Sequence, residues 1–293
     1  MKKLLLGLLL AMASLQALAQ AAALVEGVQM PAWRERDGKR LPLVPGMELR
    51  RGDRIISGQD ARVVLKLAEG SIVKLGEKGT LRLAELEPSR ELFRAALQVL
   101  EGAFRFTSDI AAKARKREVS VQVDKVTIGI RGTDVWGRSR AERQIVCLLE
   151  GAVEVGAEGE TPVTMDQPRQ FYRREQGVTQ PVGFVEPQQL QQWSEETEIG
   201  AGKGALRRGG RFGVQLAVAE RERALRRTWE ELREAGYPAE IQRRKDGDKV
   251  SFAVRIRHFP TREEAQLAAD RLAGRFGIKE PVVTQSESFC SRP

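Results

Sequence analysis

The sequence predicts a multi-domain chain, with an N-terminal all-β domain followed by a smaller α+β domain of element order βαββαβ. Three observations carry this. Short alternating apolar runs separated by Gly-containing turns recur about every 8–12 residues between positions 24 and 199, the pattern of a sandwich or barrel. From residue 211 on, strand-like alternation gives way twice to helical periodicity within about 80 residues. Between the two lies a Gly-rich basic stretch, residues 200–210, expected to be a flexible linker. The 293 residues allow one to two domains, and 41% hydrophobic against 30% charged residues is a globular balance.

In chain order, Lys2 and Lys3 precede an unbroken apolar run (residues 4–15), and small residues follow at 17 and 19. That is the layout of an export signal, residues 1–19, with cleavage expected after Ala19 and with Ala21 and Ala22 as alternative cut points. Twelve apolar residues are too few for a hydrocarbon core that needs about 20, and no Cys near the cut suggests a lipid anchor. The expected location is the periplasm, where disulfides are permitted. Cys147 and Cys290 nevertheless read as one buried thiol and one tail thiol.

The all-β domain is expected over residues 24–199. Residues 61–67 (ARVVLKL) and 71–75 (SIVKL) flank Glu69-Gly70 as a hairpin. Further strands are expected at 80–83, 97–99, 103–106, 119–123 and 125–130. Residues 145–149 and 153–155 around Glu150-Gly151 read as a second hairpin, and residues 187–196 as a closing helix. Residues 24–199 carry 27 basic and 27 acidic side chains, whereas residues 200–293 carry 20 and 13, so the charge excess beyond the signal belongs to the C-terminal third. In the stretch between, Lys203 is followed by Gly204 rather than Ser or Thr, so a phosphate-binding loop is excluded.

The run Arg51-Gly52-Asp53-Arg54-Ile55-Ile56-Ser57-Gly58, residues 61–67, 69–75 and 79–81, then Gly129-Ile130-Arg131-Gly132-Thr133-Asp134-Val135 and residues 149–155 (LEGAVEV) resemble a FecR domain in family order over residues 40–175. The resemblance implies a protein-interaction module of the kind found in regulators that link outer-membrane transporters to sigma factors. This sequence departs from those regulators in showing no cytoplasmic segment and no membrane-spanning helix, so an exported module is expected. Residues 131–134 read as a strand-entry turn, with Thr133 and Asp134 bonding nearby backbone.

In residues 211–293, strand 212–219 is followed by a helix over 224–235 with Ala224, Leu225, Thr228, Leu232 and Ala235 on one face. Strands 239–244 and 250–256 flank Asp246-Gly247-Asp248. Thr261 caps a second helix, with Glu264 as its capping-box partner and Ala265, Ala268, Leu272 and Phe276 facing inward. Residues 281–284 form the last strand. This βαββαβ order is ferredoxin-like or RNA-binding-module-like. Val214-Gln215-Leu216, residues 232–238 (LREAGYP), 252–256 (FAVRI) and 259–265 (FPTREEA) resemble a SPOR domain, a peptidoglycan-binding module. The resemblance weakens at 217–219 and at Arg257-His258.

The SPOR resemblance implies binding of glycan strands stripped of stem peptides on the sheet face that the helices leave open. Alternation turns Phe212, Val214, Leu216, Val218, Phe252, Val254 and Ile256 toward the helices. Gln215, Ala217, Arg255 and Arg257 then face the other way, with Gln242 and Arg244 on the neighbouring strand. Gln215 and Gln242 suit sugar hydroxyls and N-acetyl groups, and Arg244, Arg255 and Arg257 suit muramyl carboxylates. Single-stranded RNA binders place stacking aromatics on such a face, and here the aromatics point inward. His258, the only His, would have to serve any Ser-His-Asp triad alone, and no metal-ligand spacing is present. The expectation is a non-catalytic envelope protein without cofactor or nucleic-acid partner. It would dock on peptidoglycan and recruit or sense an envelope protein through the FecR-like domain, with the division site as the expected place. The alternative is a periplasmic signalling protein for which the basic domain is only a wall tether.

Overall fold

The computed structural model describes residues 21–89, 92–109 and 116–285, so the export signal and Cys290 lie outside the described residues. The N-terminal strands are β1 (Ala23–Gln29), β2 (Ala32–Arg36), β3 (Lys39–Pro42), β4 (Glu48–Leu49), β5 (Arg54–Ser57), β6 (Arg62–Leu67), β7 (Ile72–Leu75), β8 (Thr80–Pro88), β9 (Leu92–Thr107) and β10 (Lys116–Val123). They continue with β11 (Val126–Ile130), β12 (Asp134–Arg140), β13 (Arg143–Glu150), β14 (Val153–Ala157), β15 (Val163–Met165), β16 (Gln170–Glu175), β17 (Val178–Thr179) and β18 (Gly183–Phe184). Helix α1 (Pro187–Glu195) and β19 (Leu206–Arg207) follow.

These strands form two layers joined through β9. One layer runs β19-β1-β6-β7-β9-β12-β13-β16, with β4 on β1 and with β17 and β18 on β16. The other runs β3-β2-β5-β8-β9-β10-β11-β14-β15. The sequence showed two strands, 97–99 and 103–106, where the chain makes one. The first part of β9 pairs with β8 and β10, and the part after Gly102 pairs with β7 and β12. Gly102 (φ +91°) is the crossing point, where a Cβ would stand 2.6 Å from the Gly79 Cα. Phe93, Phe104, Phe106, Leu65 and Leu67 fill the space between the layers. A smaller cluster of Trp136, Ile145 and Cys147 is covered by α1, whose Trp193 stacks on Trp136 at 4.8 Å. Cys147 is a buried free thiol, and burial pushes its pKa up to about 12.

Two motif readings change. The runs around Glu150-Gly151 are not a hairpin, because β13 pairs with β12 and β16 in one layer and β14 with β11 and β15 in the other. Gly132 (φ +73°) and Gly151 (φ +86°) are the corners where the chain crosses between layers and returns, and a Cβ on Gly151 would lie 2.6 Å from the Gly132 carbonyl oxygen. Asp134 bonds side chains rather than nearby backbone: it accepts from Arg105 Nε (2.9 Å) and Nη2 (2.6 Å) and from Thr107 Oγ1 (3.2 Å). Asp53, fully buried, takes the same kind of pair from Arg36 Nε (2.5 Å) and Nη2 (2.7 Å), plus the Arg50 amide (2.8 Å).

The C-terminal elements are β20 (Phe212–Ala219), α2 (Arg226–Glu234), β21 (Glu240–Asp246), β22 (Lys249–Phe259), α3 (Arg262–Leu272) and β23 (Val282–Gln285). The order β21-β22-β20-β23 is antiparallel throughout. Val214, Leu216, Val254 and Ile256 meet Leu232 of α2 and Ala265, Ala268 and Leu272 of α3 in the core. Phe276, expected on the inner face of the second helix, lies beyond its end and rests edge-on against Tyr237 at 5.8 Å.

The expected linker is tied down on both sides. Leu206 and Arg207 pair with Val28 and Gly27 of β1, and Ala205 and Leu206 are buried. Thr261 caps α3 by accepting the Glu264 amide (3.2 Å), but the Glu264 carboxylate does not close a capping box. It turns away to accept the amides of Gly202 (2.6 Å), Gly204 (2.5 Å) and Ala205 (3.1 Å), because three unpaired donors in a tight turn attract a carboxylate more than one amide does. On the other flank, Trp33 Nε1 donates to the Glu234 carbonyl (3.1 Å), and the Ala32 amide donates to that of Gly236 (3.3 Å). Gly236 (φ +85°) leaves room for the Trp33 ring, from which a Cβ would stand 2.6 Å.

Candidate functional site: the open sheet face

Register decides which side chains share the open face. Gln215 lies directly across from Arg255, and Arg255 in turn across from Glu240. Gln242 faces Ala253 and Arg244 faces Ser251, while Arg257 faces Gly213 and Gly213 faces Thr284. Directly opposed residues project to the same side, so Gln215, Gln242, Arg244, Arg255 and Arg257 are brought together on one surface.

The expected alternation fails halfway along β20. Leu216 is an extra residue between the pairs Gln215↔Arg255 and Ala217↔Val254, a bulge that shifts the face by one. Ala217, expected outward, packs against the core, and Val218, expected inward, is 52% exposed beside Ala253 and Gln242 on the open face. Val282, opposite Gln215, is 51% exposed. The face therefore offers apolar patches beside its polar groups.

The polar side chains are mutually engaged. Arg244 Nη1 donates to Gln215 Oε1 (2.6 Å), and Arg255 Nη1 donates to Gln242 Oε1. Arg257 is held by Glu240 through Nε (2.5 Å) and Nη2 (2.9 Å). Glu240 is the residue sequence reasoning missed. It sits two positions before Gln242, so the same alternation that selected Gln242 and Arg244 would have found it. Burial first, then the charges of Arg257 and Arg244, push the Arg255 pKa down, while Glu240 pulls it up. The Arg255 charge is thus held against a desolvation cost that an anion would relieve.

His258 (φ +75°) is the extra residue of a second bulge, between Phe212↔Phe259 and Gly213↔Arg257. Burial and then the Arg257 charge lower its pKa, which keeps the ring neutral at neutral pH. Among the described residues no cluster of His, Cys, Asp or Glu has metal-binding geometry, and no helix is long and apolar enough to cross a membrane. What the surface offers is a row of amide and guanidinium groups beside exposed Val218 and Val282, which suits an extended polar ligand with apolar ring edges.

Comparison with known proteins matches the family model described as FecR protein to residues 53–154, and that of the SPOR domain to residues 209–284. No curated protein matches the chain. Two crystal structures of "a putative anti-sigma factor" from Parabacteroides distasonis ATCC 8503 are similar, at 12% and 13% identity with TM-scores of 0.41 and 0.40. Each match covers 67% of this chain and 96% of that one. The chain thus carries a FecR domain within the layered all-β part and a SPOR domain on the helix-backed antiparallel sheet.

Proposed function

We propose that the chain is an exported, non-catalytic envelope protein that binds glycan strands lacking stem peptides through Gln215, Gln242, Arg244, Arg255 and Arg257. Its FecR domain then contacts a protein partner in the periplasm. The carrying observation is the convergence of these five side chains on the one sheet face free of helices, in the third of the chain that holds the excess positive charge. Glycans with free muramyl carboxylates are polyanions, so charge and hydrogen-bonding capacity point to the same ligand.

Labelled chain co-sedimented with purified sacculi tests this. Gln215→Ala combined with Arg255→Ala is expected to weaken binding at least tenfold, and pretreating sacculi with an amidase that removes stem peptides is expected to strengthen wild-type binding. No gain after amidase treatment would defeat the glycan reading. Recruitment to the division site is tested by the position of a fluorescent fusion with and without residues 211–293. A lost transcriptional response with unchanged position would instead favour the signalling reading, with the SPOR domain a mere tether.

A further inference from the structure

We propose that the open face selects stem-less strands by gripping the free lactyl carboxylate of muramic acid, between the side-on edge of Arg255 and the Thr284 hydroxyl. The inference rests on the glycan reading above. The stem peptide is joined to the lactyl carboxyl by an amide bond. Hydrolysis of that amide leaves one carboxylate per disaccharide, so the stripped strand differs from the intact one in charge as well as in size.

Three observations converge on one spot. Arg255 spends Nη1 on Gln242, and its Nε is buried without a hydrogen-bond partner among the described residues. The nearest acid, Glu240, keeps its Oε1 4.0 Å from that nitrogen because Arg257 holds it. Thr284 Oγ1 is likewise buried without a hydrogen-bond partner among the described residues. Between them lies Gly213, where a Cβ would stand 3.3 Å from Thr284 Oγ1 and 3.6 Å from Arg255 Nη2. A hydroxyl and a guanidinium edge therefore meet over Gly213, where a side chain would crowd them both and the Ile256 carbonyl oxygen at 3.0 Å as well.

The chain itself shows what such an edge takes. Nε and Nη2 of Arg36 hold both oxygens of Asp53, and the same two nitrogens of Arg105 hold both oxygens of Asp134. A carboxylate matches this fork with two charged acceptors, whereas the amide of an intact stem offers one neutral acceptor and an N–H donor. Nη2 meets the carboxylate first, and a turn of the guanidinium toward Thr284 brings Nε into the fork.

The test separates charge from size. Amidase-stripped strands are prepared with the lactyl carboxyl either free or converted to its methylamide, a neutral group far smaller than a stem peptide. Wild-type chain is expected to bind the free-acid strands about tenfold more tightly. Arg255→Lys, which keeps the charge and loses the fork, is expected to bring the ratio near unity, and Thr284→Val to reduce it several-fold, with circular dichroism confirming that both variants fold. Equal wild-type binding of the two strands would leave the glycan reading standing and overturn the carboxylate inference. An unchanged ratio in Arg255→Lys would also overturn it, and failure of both strands to bind would remove the glycan reading together with it.

Discussion

Glu69 shows at the scale of one residue how the chain treats buried charge. Asp53 and Asp134 each receive a bidentate arginine, but Glu69, 7% exposed at the tip of the β6–β7 turn, has no hydrogen-bond partner within the geometric limits for either oxygen among the described residues. Burial raises its pKa, and the Ser71 hydroxyl and the Arg117 charge offset only part of that. A carboxyl whose folded pKa lies above its unfolded one binds more protons when folded. Its contribution is therefore fully present below the ordinary carboxylate range and is lost as pH rises through the folded value. Glu69→Gln is expected to stabilise the chain at pH 7.5 by about 1 kcal/mol, with the gain vanishing on acidification toward the ordinary carboxylate pKa. Urea unfolding at both pH values measures this, and equal destabilisation at the two would sink it. The motif landmark Asp53 carries a related lesson: its place was legible, but its partner Arg36 lies 17 residues upstream and no local signal announces the pair.

At the scale of elements, what the sequence conveyed was alternation, and alternation names strands without naming their neighbours. The hairpin of β6 and β7 was legible because its strands pair with each other across Glu69-Gly70. Glu150-Gly151 gives the same local signal, yet it joins strands in different layers, since pairing there is decided by β11, β12 and β16 far along the chain. The candidate site was legible as far as one bulge. The parity that placed Gln215 and Arg255 correctly misplaced Ala217 and Val218, because one extra residue in a strand leaves no mark in composition. Gly151→Ala is expected to cost about 2–3 kcal/mol, since it combines a left-handed backbone with a Cβ 2.6 Å from the Gly132 carbonyl oxygen. Gly38→Ala is a control for the backbone term, with φ +71° and, among the described residues beyond its chain neighbours, no atom within 4 Å of its Cβ. Comparable losses in thermal melts of the two variants would show that the stacked corners add nothing beyond glycine's own freedom.

At the scale of the molecule, a basic, Gly-rich stretch that composition marks as a flexible tether is built into both domains. Its β19 extends the β1 edge, its turn is held by Glu264 of α3, and Trp33 seats the end of α2 through Gly236. All three attachments use residues off the open face, so the SPOR sheet stays free for ligand while its helix side is fixed to the FecR layers. Flexibility here is a question of how much free energy these contacts contribute against the entropy of releasing roughly ten residues. The half-buried Trp33 ring against Gly236 and the Glu264 carboxylate on three amides act beside β19 to hold the junction closed. Trp33→Ala combined with Glu264→Ala is expected to open it. Trypsin should then cut at Lys203, Arg207 or Arg208 at least tenfold faster than in the wild type, because cleavage of a locally opened segment follows its open population. Sacculus binding should be unchanged, since Gln215, Arg255 and their neighbours lie on the other side of the sheet. An unaltered cleavage rate would mean that β19 alone holds the junction, and a loss of sacculus binding would mean that docking on the FecR layers shapes the open face itself.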